Sequence, residues 1–481
     1  MASVQDIYEL SPLQQGMLFH SLYAPDSGVY VEQRWCVIEG DLKVNAFQRA
    51  WDRVINRHDA LRSELHWEET EKPVQVVYEE VKPQWLREKP DDFEAFLESD
   101  RRRGFVLDEG PLVRFALFPL NEGRHQFVWT FHHALMDGWG NGVLIREALA
   151  LYESEIQGGV TPALLPSMPH RSYIDWLQRR PVIEEEAYWK KALSGFDQPT
   201  QLFGGDRIDV DGSDYCAHSH SLSAASTIAL HEFAQTNRLT MNTLVQGAWA
   251  LLLERYTGQD DVLFGATVSG RPPTLDGVET AIGLFINTVP VRVDVDSSQP
   301  LVPWLEAIQS DQRQRESYGY QRLLDLQAFT EVPSGIPLFE SLLVFENYPV
   351  SIDSVQANQS SGLQLVERDG YERTNYPLTL VALPGDELVF SFRYETQHFD
   401  PKSIERIAEQ LEHVLSCFAR GADQVVGAVD SLPERDQVML GEWGQGPTVA
   451  VDAIPVHERV AQQAASLPGK VAVVLGQESL D

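Results

Sequence analysis

The sequence predicts an α/β protein, of the α+β kind, in which mixed sheets are flanked by helices. Strand-like and helix-like segments alternate along the chain, and a similar order of elements occurs in each half. At 481 residues the chain exceeds the size of one hydrophobic core. Its hydrophobic content of 43%, with 10% aromatic residues, can fill more than one core. We therefore expect two subdomains of similar architecture.

The first half begins with a predicted helix. Ser11 is suited to cap this helix, and Pro12 occupies the first turn, where a missing N–H costs nothing. The segment 44–58 has apolar residues at helical spacing and predicts a second helix. The other predicted elements are strands at VYVEQRWCVI, SELHWE, QVVYE, FALFPL and HQFVWTF, and a helix from Val143 to about Gln157.

The second half begins near Tyr215 with the strand-like segment AHSHSLS. Two helical stretches, 226–237 and 242–256, follow it and precede the strand-like DVLFGATVS. Near the end, ELVFSFRYE predicts a strand, and SIERIAEQLEHVLSCFARG predicts a long amphipathic helix that ends at Gly421.

The heptapeptide HHALMDG, residues 132–138, lies between a strand-like run and a helical run. Loops on a rigid scaffold are where catalytic side chains concentrate, and histidine exchanges a proton near neutral pH. The motif therefore indicates a functional loop. Taken alone, the motif is equally compatible with a purely structural role, in which the histidine is buried in the core and the aspartate caps a helix.

The composition excludes several classes of function. The formal charge of −33, from 71 acidic and 38 basic residues, would repel a phosphate backbone, so nucleic acid is not an expected partner. No apolar run reaches the roughly 18 residues that span a bilayer, and the start MASVQDIYEL lacks the pattern of a signal peptide. We expect a cytoplasmic protein without membrane contact.

Metal binding and disulfide formation are not expected. Cys36, Cys216 and Cys417 lie far apart, show no metal-ligand spacing and cannot all pair with one another, which predicts buried reduced thiols. His132 and His133 would point to opposite faces of a strand, and the motif offers no third ligand nearby.

Several further segments occur in a fixed order around HHALMDG. They are SPLQQGMLFHSL (11–22) and INRHDALRSEL (55–65) before it, and SYIDWLQ (172–178), YWKKAL (188–193), GATVSGRPPTLDGVETAIGLFINTVPVRV (265–293), PLFESLLVFENYP (337–349) and TNYPLTL (374–380) after it. In this order they resemble the condensation domains of non-ribosomal peptide synthetases, over nearly everything from residue 5 to about residue 425.

The resemblance implies a more specific architecture. It implies two chloramphenicol-acetyltransferase-like subdomains arranged as a V-shaped pseudo-dimer with a central tunnel. We place the N-terminal subdomain, which carries HHALMDG, at residues 1–175. The C-terminal subdomain, with a floor loop at about 265–285 and the TNYPL segment, lies at residues 176–428. Residues 429–481 resemble a linker followed by the truncated start of an adenylation domain.

The resemblance also implies a reaction. Condensation domains form a peptide bond when the amine of an acceptor aminoacyl thioester attacks a donor thioester, in pathways that produce antibiotics or siderophores. Both substrates are tethered by 4′-phosphopantetheine to peptidyl carrier protein domains, an upstream donor and a downstream acceptor. The resemblance implies that this chain binds no cofactor of its own. It implies an adjoining adenylation domain as a partner, and a monomer is expected. The basic run Arg101–Arg103 is either a solvated face or a carrier contact.

The motif residues take distinct roles under this resemblance. His133 is the central catalytic candidate, either as a general base or as a group that orients the amine. His132 is expected to brace the loop. Asp137 is expected to pair with Arg271, whose planar guanidinium suits bidentate carboxylate binding. The backbone N–H of Gly138 is a candidate oxyanion donor.

Four further residues are candidates for the substrate tunnel. Trp139 could line the tunnel, although a tryptophan at the start of a helix is as often core packing. Asn347 is a candidate polar contact. Asn375 and Tyr376 would border the acceptor side, with an ordinary strand-edge role equally compatible.

Alternative functions remain open. An epimerisation domain shares HHxxxDG, a non-catalytic recruitment domain could share the fold, and a free CoA-dependent acyltransferase carries HxxxD but leaves the adenylation-like tail unexplained. A cyclisation domain would need DxxxxD in place of the motif, and this is absent. The chain also departs from the family pattern at SYGYQRLLDLQ, before and including Gln327, where a histidine is usual. This departure bears on substrate identity.

Overall fold

The computed structural model describes residues 3–121, 123–158, 162–202, 215–347, 362–446 and 454–480. The chain forms two compact units, residues 1–431 and residues 432–481. Mixed sheets flanked by helices make up the first unit, which confirms the predicted fold class. In the described part of the chain, no helix is both long enough and apolar enough to cross a membrane.

The first unit contains helices and strands in alternation. In chain order its first half contains β1 (Val4–Glu9), α1 (Pro12–Tyr23), β2 (Val31–Glu39), α2 (Val44–Arg57), β3 (Ser63–His66), β4 (Val74–Tyr78), β5 (Gln84–Leu86), α3 (Phe93–Arg103), β6 (Val113–Asn121), β7 (Arg124–His132), α4 (Gly138–Ile156) and α5 (His170–Gln178). Its second half contains α6 (Val182–Leu193), β8 (Tyr215–Ser221), α7 (Ala224–Thr236), α8 (Met241–Thr257), β9 (Asp261–Val268), β10 (Asn287–Asp294), α9 (Leu301–Tyr318), α10 (Leu323–Gln327), β11 (Ser341–Phe345), β12 (Gln364–Tyr371), β13 (Leu378–Leu383), β14 (Val389–Glu395) and α11 (Pro401–Arg420).

Three sheets organise the first unit. Their strand orders are β1-β4-β3, β12-β2-β7-β6-β5 and β10-β9-β11-β13-β14-β8. The five-stranded sheet has a parallel pair, β5 with β6, and the six-stranded sheet has two parallel pairs, β11 with β9 and with β13. The remaining pairs are antiparallel.

The five-stranded sheet is completed by a strand from the second half. β12 pairs antiparallel with β2, from Gln364 opposite Glu39 to Tyr371 opposite Gln33. Nothing in the local sequence indicates this long-range pairing. The two halves of the first unit therefore share a sheet, and the division near residue 176 stays a prediction.

The helix at the start of the chain has the predicted cap. The Gln14 N–H donates to Ser11 Oγ at 3.3 Å, and the Ser11 N–H donates to Gln14 Oε1 at 2.9 Å, which forms a capping box. In contrast, α4 begins at Gly138, five residues before the predicted start at Val143. The glycines of α4 have poor helix propensity, which tertiary packing offsets. At Gly140 the packing is close, because a Cβ there would lie 3.2 Å from Met136 Sδ.

The predicted floor loop is shorter than expected. Residues 265–268 belong to β9, where Ala266 pairs with Val289, so the loop proper covers 269–286. Gly270 has φ +59°, and a Cβ there would lie 1.8 Å from the Phe285 carbonyl oxygen. Only glycine fits this close approach of the two loop ends.

Two large cores stabilise the first unit. In the first half, Trp51 packs against Phe115, Phe127 and Trp129, with ring centroids 5.1, 5.4 and 5.1 Å away. The second half has its own core between α8, α9, α11 and the six-stranded sheet. Each core buries large aromatic side chains among many aliphatic ones.

The cysteines and the basic run behave as ordinary structural features. All three cysteines are free and half-buried, and burial raises the pKa of Cys36 to about 12. Arg101 lies over the Tyr371 ring at 4.3 Å and donates to Gln33 Oε1 at 2.9 Å. Of the three arginines, Arg101 is therefore packed against the five-stranded sheet and is not fully solvated.

The second unit is small. It contains α12 (Glu434–Gly444), α13 (Val456–Ser466), β15 (Val473–Leu475) and β16 (Glu478–Leu480), and the two strands form an antiparallel pair. No residue of α13 is buried. Part of the linker predicted from the sequence, residues 447–453, lies outside the described residues. The likeness of this unit to the start of an adenylation domain stays a prediction.

Candidate active site

The HHALMDG loop connects β7 to α4 at the edge of the five-stranded sheet. His132 is the last residue of β7, residues 133–135 form a single 3-10 turn, and α4 begins at Gly138. The His133 N–H donates to the Tyr30 carbonyl oxygen at 2.8 Å. Tyr30 has φ +64°, a conformation that costs a non-glycine residue about 1–3 kcal/mol. The backbone that holds His133 therefore includes a strained residue.

His132 is enclosed within the first half of the unit. Its Nδ1 accepts the Ala134 N–H at 3.2 Å, and its Nε2 lies 3.4 Å from Ser21 Oγ. Burial, together with the neighbouring His133, lowers the pKa of His132 to about 3. The ring is therefore neutral at physiological pH, and its contacts are those of a side chain that braces the loop.

His133 is 7% exposed and lines the cavity described below. Its Nδ1 lies 2.8 Å from the Met136 carbonyl oxygen and 2.9 Å from Glu32 Oε1. Because both oxygens only accept, Nδ1 carries a proton and Nε2 is the ring nitrogen that remains for a substrate. Burial opposes the charged form, but the Glu32 carboxylate outweighs it and raises the pKa of His133 to about 9.

A line of buried charges extends from His133 across the two halves of the unit. Arg34 lies 3.3 Å from Glu32 and 3.0 Å from Glu372, and Arg393 lies 2.8 Å from Glu372. Although burial opposes ionisation, Arg393 and Arg34 hold the pKa of Glu372 well below its ordinary value. Sequence reasoning missed these residues. A signal was present in strand β2, where the opposite charges of Glu32 and Arg34 stand at alternate positions and therefore on one face of the strand.

Asp137 connects the loop to the floor loop. Its Oδ1 accepts from Arg271 Nη2 at 2.9 Å, and its Oδ2 accepts the Phe285 N–H at 3.1 Å. Arg271 also donates to the carbonyl oxygens of Val278 and Ala281, at 2.6 and 3.0 Å. The structure thus brings together the carboxylate and the guanidinium that the resemblance pairs. Asp137 is 1% exposed and faces this network.

Gly138 and Trp139 occupy different surroundings. Gly138 lines the cavity, and its N–H belongs to the first turn of α4, where N–H groups lack intrahelical acceptors. Trp139 lies outside the cavity lining. Its Nε1 donates to the Glu279 carbonyl oxygen at 2.8 Å and its ring lies 5.0 Å from the Arg271 guanidinium. The Glu279 carbonyl satisfies the indole N–H. Trp139 therefore packs on the floor loop.

A cavity of about 1690 Å³ lies between the five-stranded and six-stranded sheets. Asn347, Asn375 and Tyr376 line it together with His133 and Gly138. The Tyr376 ring stacks on Phe339 at 5.5 Å. This volume exceeds the roughly 300–1,000 Å³ of an ordinary small-molecule pocket, so the cavity can hold more than one ligand arm.

Asn375 belongs to a polar link between the halves of the unit. The Tyr30 hydroxyl donates to Asn375 Oδ1 at 2.8 Å, and Asn375 Nδ2 lies 3.3 Å from His20 Nε2. These contacts fix the orientation of the amide. Burial lowers the pKa of His20. Because an amide nitrogen only donates, Nε2 of His20 is the acceptor in this contact. His20 and Tyr30 are further cavity residues that the sequence did not reveal.

Glu32, His133 and Glu372 offer ligand atoms that lie within 4.8 Å of one another, which is close enough to consider a metal ion. The two carboxylates are, however, already within ion-pair distance of Arg34 and Arg393. A cation would have to displace these guanidinium groups. We therefore describe the cluster as an ionic network.

The fold and the site together define the class of protein: an acetyltransferase-like domain with its HHxxxDG motif at a cavity between two sheets. Residues 4–440 match the family model described as the condensation domain, and the chain belongs to this family. The resemblance seen in the sequence is thereby confirmed.

Relatives of this chain are components of large synthetases. It is 39% identical to one linear gramicidin synthase polypeptide of Brevibacillus parabrevis, over 99% of this chain and 10% of that protein. It is 40% identical to a second linear gramicidin synthase polypeptide from the same organism, over 100% of this chain and 6% of that protein. The chain thus spans about a tenth or less of these relatives.

A solved structure has the same fold. The crystal structure of a four-domain nonribosomal peptide synthetase bound to AMP and glycine matches with a TM-score of 0.78 at 19% identity. The match covers 97% of this chain and 37% of that chain.

Proposed function

We propose that this domain forms an amide bond between two carrier-tethered acyl groups. The amine of an acceptor aminoacyl thioester attacks the carbonyl carbon of a donor thioester. The C–N bond forms, the C–S bond breaks, the donor arm leaves as a thiol and the amine loses a proton. The partners are an upstream donor and a downstream acceptor carrier domain, each with a phosphopantetheine arm, and the location is the cytoplasm.

The orientation of His133 is the observation that carries this proposal. Met136 and Glu32 engage Nδ1, so Nε2 is available at the cavity. With its pKa raised to about 9, His133 is protonated at neutral pH. Its Nε2–H then donates to the carbonyl oxygen on which negative charge develops. Such a donor stabilises the oxyanion of the tetrahedral intermediate.

Gly138 supplies a second donor in this proposal. Its N–H lies at the start of α4, where the helix dipole favours negative charge. The Asp137–Arg271 pair and the Phe285 N–H hold this turn in place. The volume of the cavity supports the simultaneous presence of two arms, and the length of the synthetase relatives supports the presence of carrier domains.

The experiment is a single-turnover reaction between a donor-loaded and an acceptor-loaded carrier protein. Intact-protein mass spectrometry follows the transfer of the donor acyl group to the acceptor arm. We expect His133→Ala to slow transfer by about 10²–10³-fold, the effect of removing one oxyanion donor. His231→Gln, an exposed histidine on α7, is the matched control and should react like the native chain. Equal rates for the native chain and His133→Ala would contradict this role.

Epimerisation is a second candidate, favoured by one observation. It requires proton-transfer groups on both sides of a substrate carbon, and the cavity also contains the carboxyl of Glu346. Loading one carrier alone in D₂O separates the two functions. Deuterium at the α-carbon, without acyl transfer in the two-carrier reaction, would replace condensation by epimerisation.

A further inference from the structure

Glu346 is a carboxyl in the cavity wall that has no role in the condensation reaction as proposed above. It directly follows β11, and its N–H donates to the Ala382 carbonyl oxygen at 2.9 Å. This bond fixes its backbone to the six-stranded sheet, on the wall of the cavity that the second half supplies. His133 lies on the wall that the first half supplies.

The charges that face Glu346 come from both sheets. They are Glu372 and Arg393, and, from β2, Arg34 and Glu32. The two guanidinium groups already lie within 3.3 Å of Glu32 or Glu372. Protonated His133 also lies 2.9 Å from Glu32, so the three carboxyls of this cluster stand with two guanidinium groups and one imidazolium, all three of which pair with Glu32 or Glu372. Burial and the charge of Glu372 raise the pKa of Glu346 to about 7.

The proposed reaction needs a proton acceptor. An α-amino group has an ordinary pKa of about 7.7–8.0, so the acceptor arrives largely as an ammonium ion. This ion must lose a proton before its nitrogen can attack. His133 already holds protons on both nitrogens at neutral pH and cannot take another. The accepting group must therefore be a different one.

We propose that Glu346 binds the ammonium group of the acceptor and accepts its proton, while His133 donates to the carbonyl oxygen of the donor. This inference rests on the proposed condensation function. The proton passes from nitrogen to a carboxylate oxygen, and the freed lone pair forms the C–N bond. The nitrogen of the tetrahedral intermediate must lose a second proton to become an amide nitrogen. Glu346 releases the first proton to solvent, takes the second, and passes it to the leaving thiolate as the C–S bond breaks, which restores the carboxylate.

The chemistry of the carboxyl fits this role. A general base acts best with a pKa near the working pH, and such a group contributes about 10²–10⁴-fold to a rate. An ammonium group beside Glu346 is favoured, because the cations Arg34, Arg393 and His133 already lie within ion-pair distance of Glu32 or Glu372. The substrate therefore generates the ionised form of Glu346 as it binds.

The test is the pH dependence of the single-turnover rate of Glu346→Gln relative to the native chain. We expect Glu346→Gln to be slower by about 10²-fold at pH 6.5. The deficit should shrink to less than about 10-fold at pH 9, where water has already deprotonated the amine. Glu346→Asp should recover part of the rate at pH 6.5. Asp386→Asn, an exposed carboxylate in the turn between β13 and β14, is the matched control.

A deficit that is the same at every pH would overturn the inference, because it would indicate a structural role. Native rates in Glu346→Gln would overturn it as well. If the native chain forms no amide bond with well-loaded carriers, the proposed function itself fails, which is a distinguishable result.

A measurement on the native chain keeps the inference falsifiable if Glu346→Gln does not fold. With ¹³C-labelled glutamate, a non-reactive aminoacyl amide of pantetheine should shift one carboxyl signal to its ionised position at pH 6.5. The matching α-hydroxyacyl amide, which has a hydroxyl in place of the amine, should leave that carboxyl signal unchanged. The same response to both probes would overturn the inference.

Discussion

Replacing Glu32 by glutamine should lower the pKa of His133 from about 9 toward its ordinary value of 6.5. The glutamine side chain would retain the size of the native one but lose the charge that lies 2.9 Å from Nδ1. The rise from 6.5 to about 9 corresponds to about 3 kcal/mol of preference for the protonated ring. Most of this preference should disappear in the variant, because Glu32 is the strongest of the groups that raise the pKa.

The same change should alter how stability depends on pH. The folded state of the native chain binds a proton on His133 more tightly than the unfolded state does. This contribution is fully present below pH 6.5 and is lost as the pH rises through about 9. The free energy of unfolding should therefore fall by up to about 3 kcal/mol over this window because of His133. Glu32→Gln should flatten that fall.

The assay is a titration of the imidazole signals by NMR, with urea unfolding at pH 6 and pH 9. Glu39→Gln removes a carboxylate at the far end of the same strand and serves as the control. It should leave the pKa of His133 near 9. A pKa that stays near 9 in Glu32→Gln would refute the assignment of Glu32 as the group that keeps His133 protonated.

Three other substitutions test the surroundings of the site. Arg271→Leu should destabilise the fold by about 3–5 kcal/mol, because it leaves the buried Asp137 carboxylate unpaired; an unchanged Tm would contradict this. Gly283→Ala should cost about 1–3 kcal/mol in denaturant unfolding, since its Cβ would lie 2.2 Å from His170 Cδ2; native stability would show that the ring moves freely. Tyr30→Phe should lose a hydrogen bond worth about 1 kcal/mol and lower kcat/KM for condensation by about fivefold, and an unchanged kcat/KM would remove that bond from the working site.

Much of the fold follows from local sequence patterns. The helix cap at Ser11, the strand before HHALMDG and the helix after it depend on residues that are neighbours in the chain. The Asp137–Arg271 contact depended instead on the family resemblance, because 134 residues separate its partners. No local pattern could pair β12 with β2, since strand pairing at such separation is decided by tertiary packing.

The ionic network illustrates why the rest of the site was not predicted. Glu32 and Glu372 come from distant segments that meet only when β12 joins the five-stranded sheet. In the sequence each resembles an ordinary solvated carboxylate. Trp139 illustrates the opposite case, because a residue beside the motif packs away from the cavity on the floor loop. A residue beside the motif can thus lie outside the cavity lining, and residues far from the motif in sequence can lie within it.

The most direct test of the proposed function is the mass of the acceptor carrier after one turnover with a donor-loaded carrier and the native chain. We predict that the acceptor arm gains the mass of the donor acyl group, and that this gain is greatly slowed in His133→Ala. An acceptor arm that gains no mass with several well-loaded pairs, while a single loaded carrier exchanges its α-proton for deuterium, would contradict condensation.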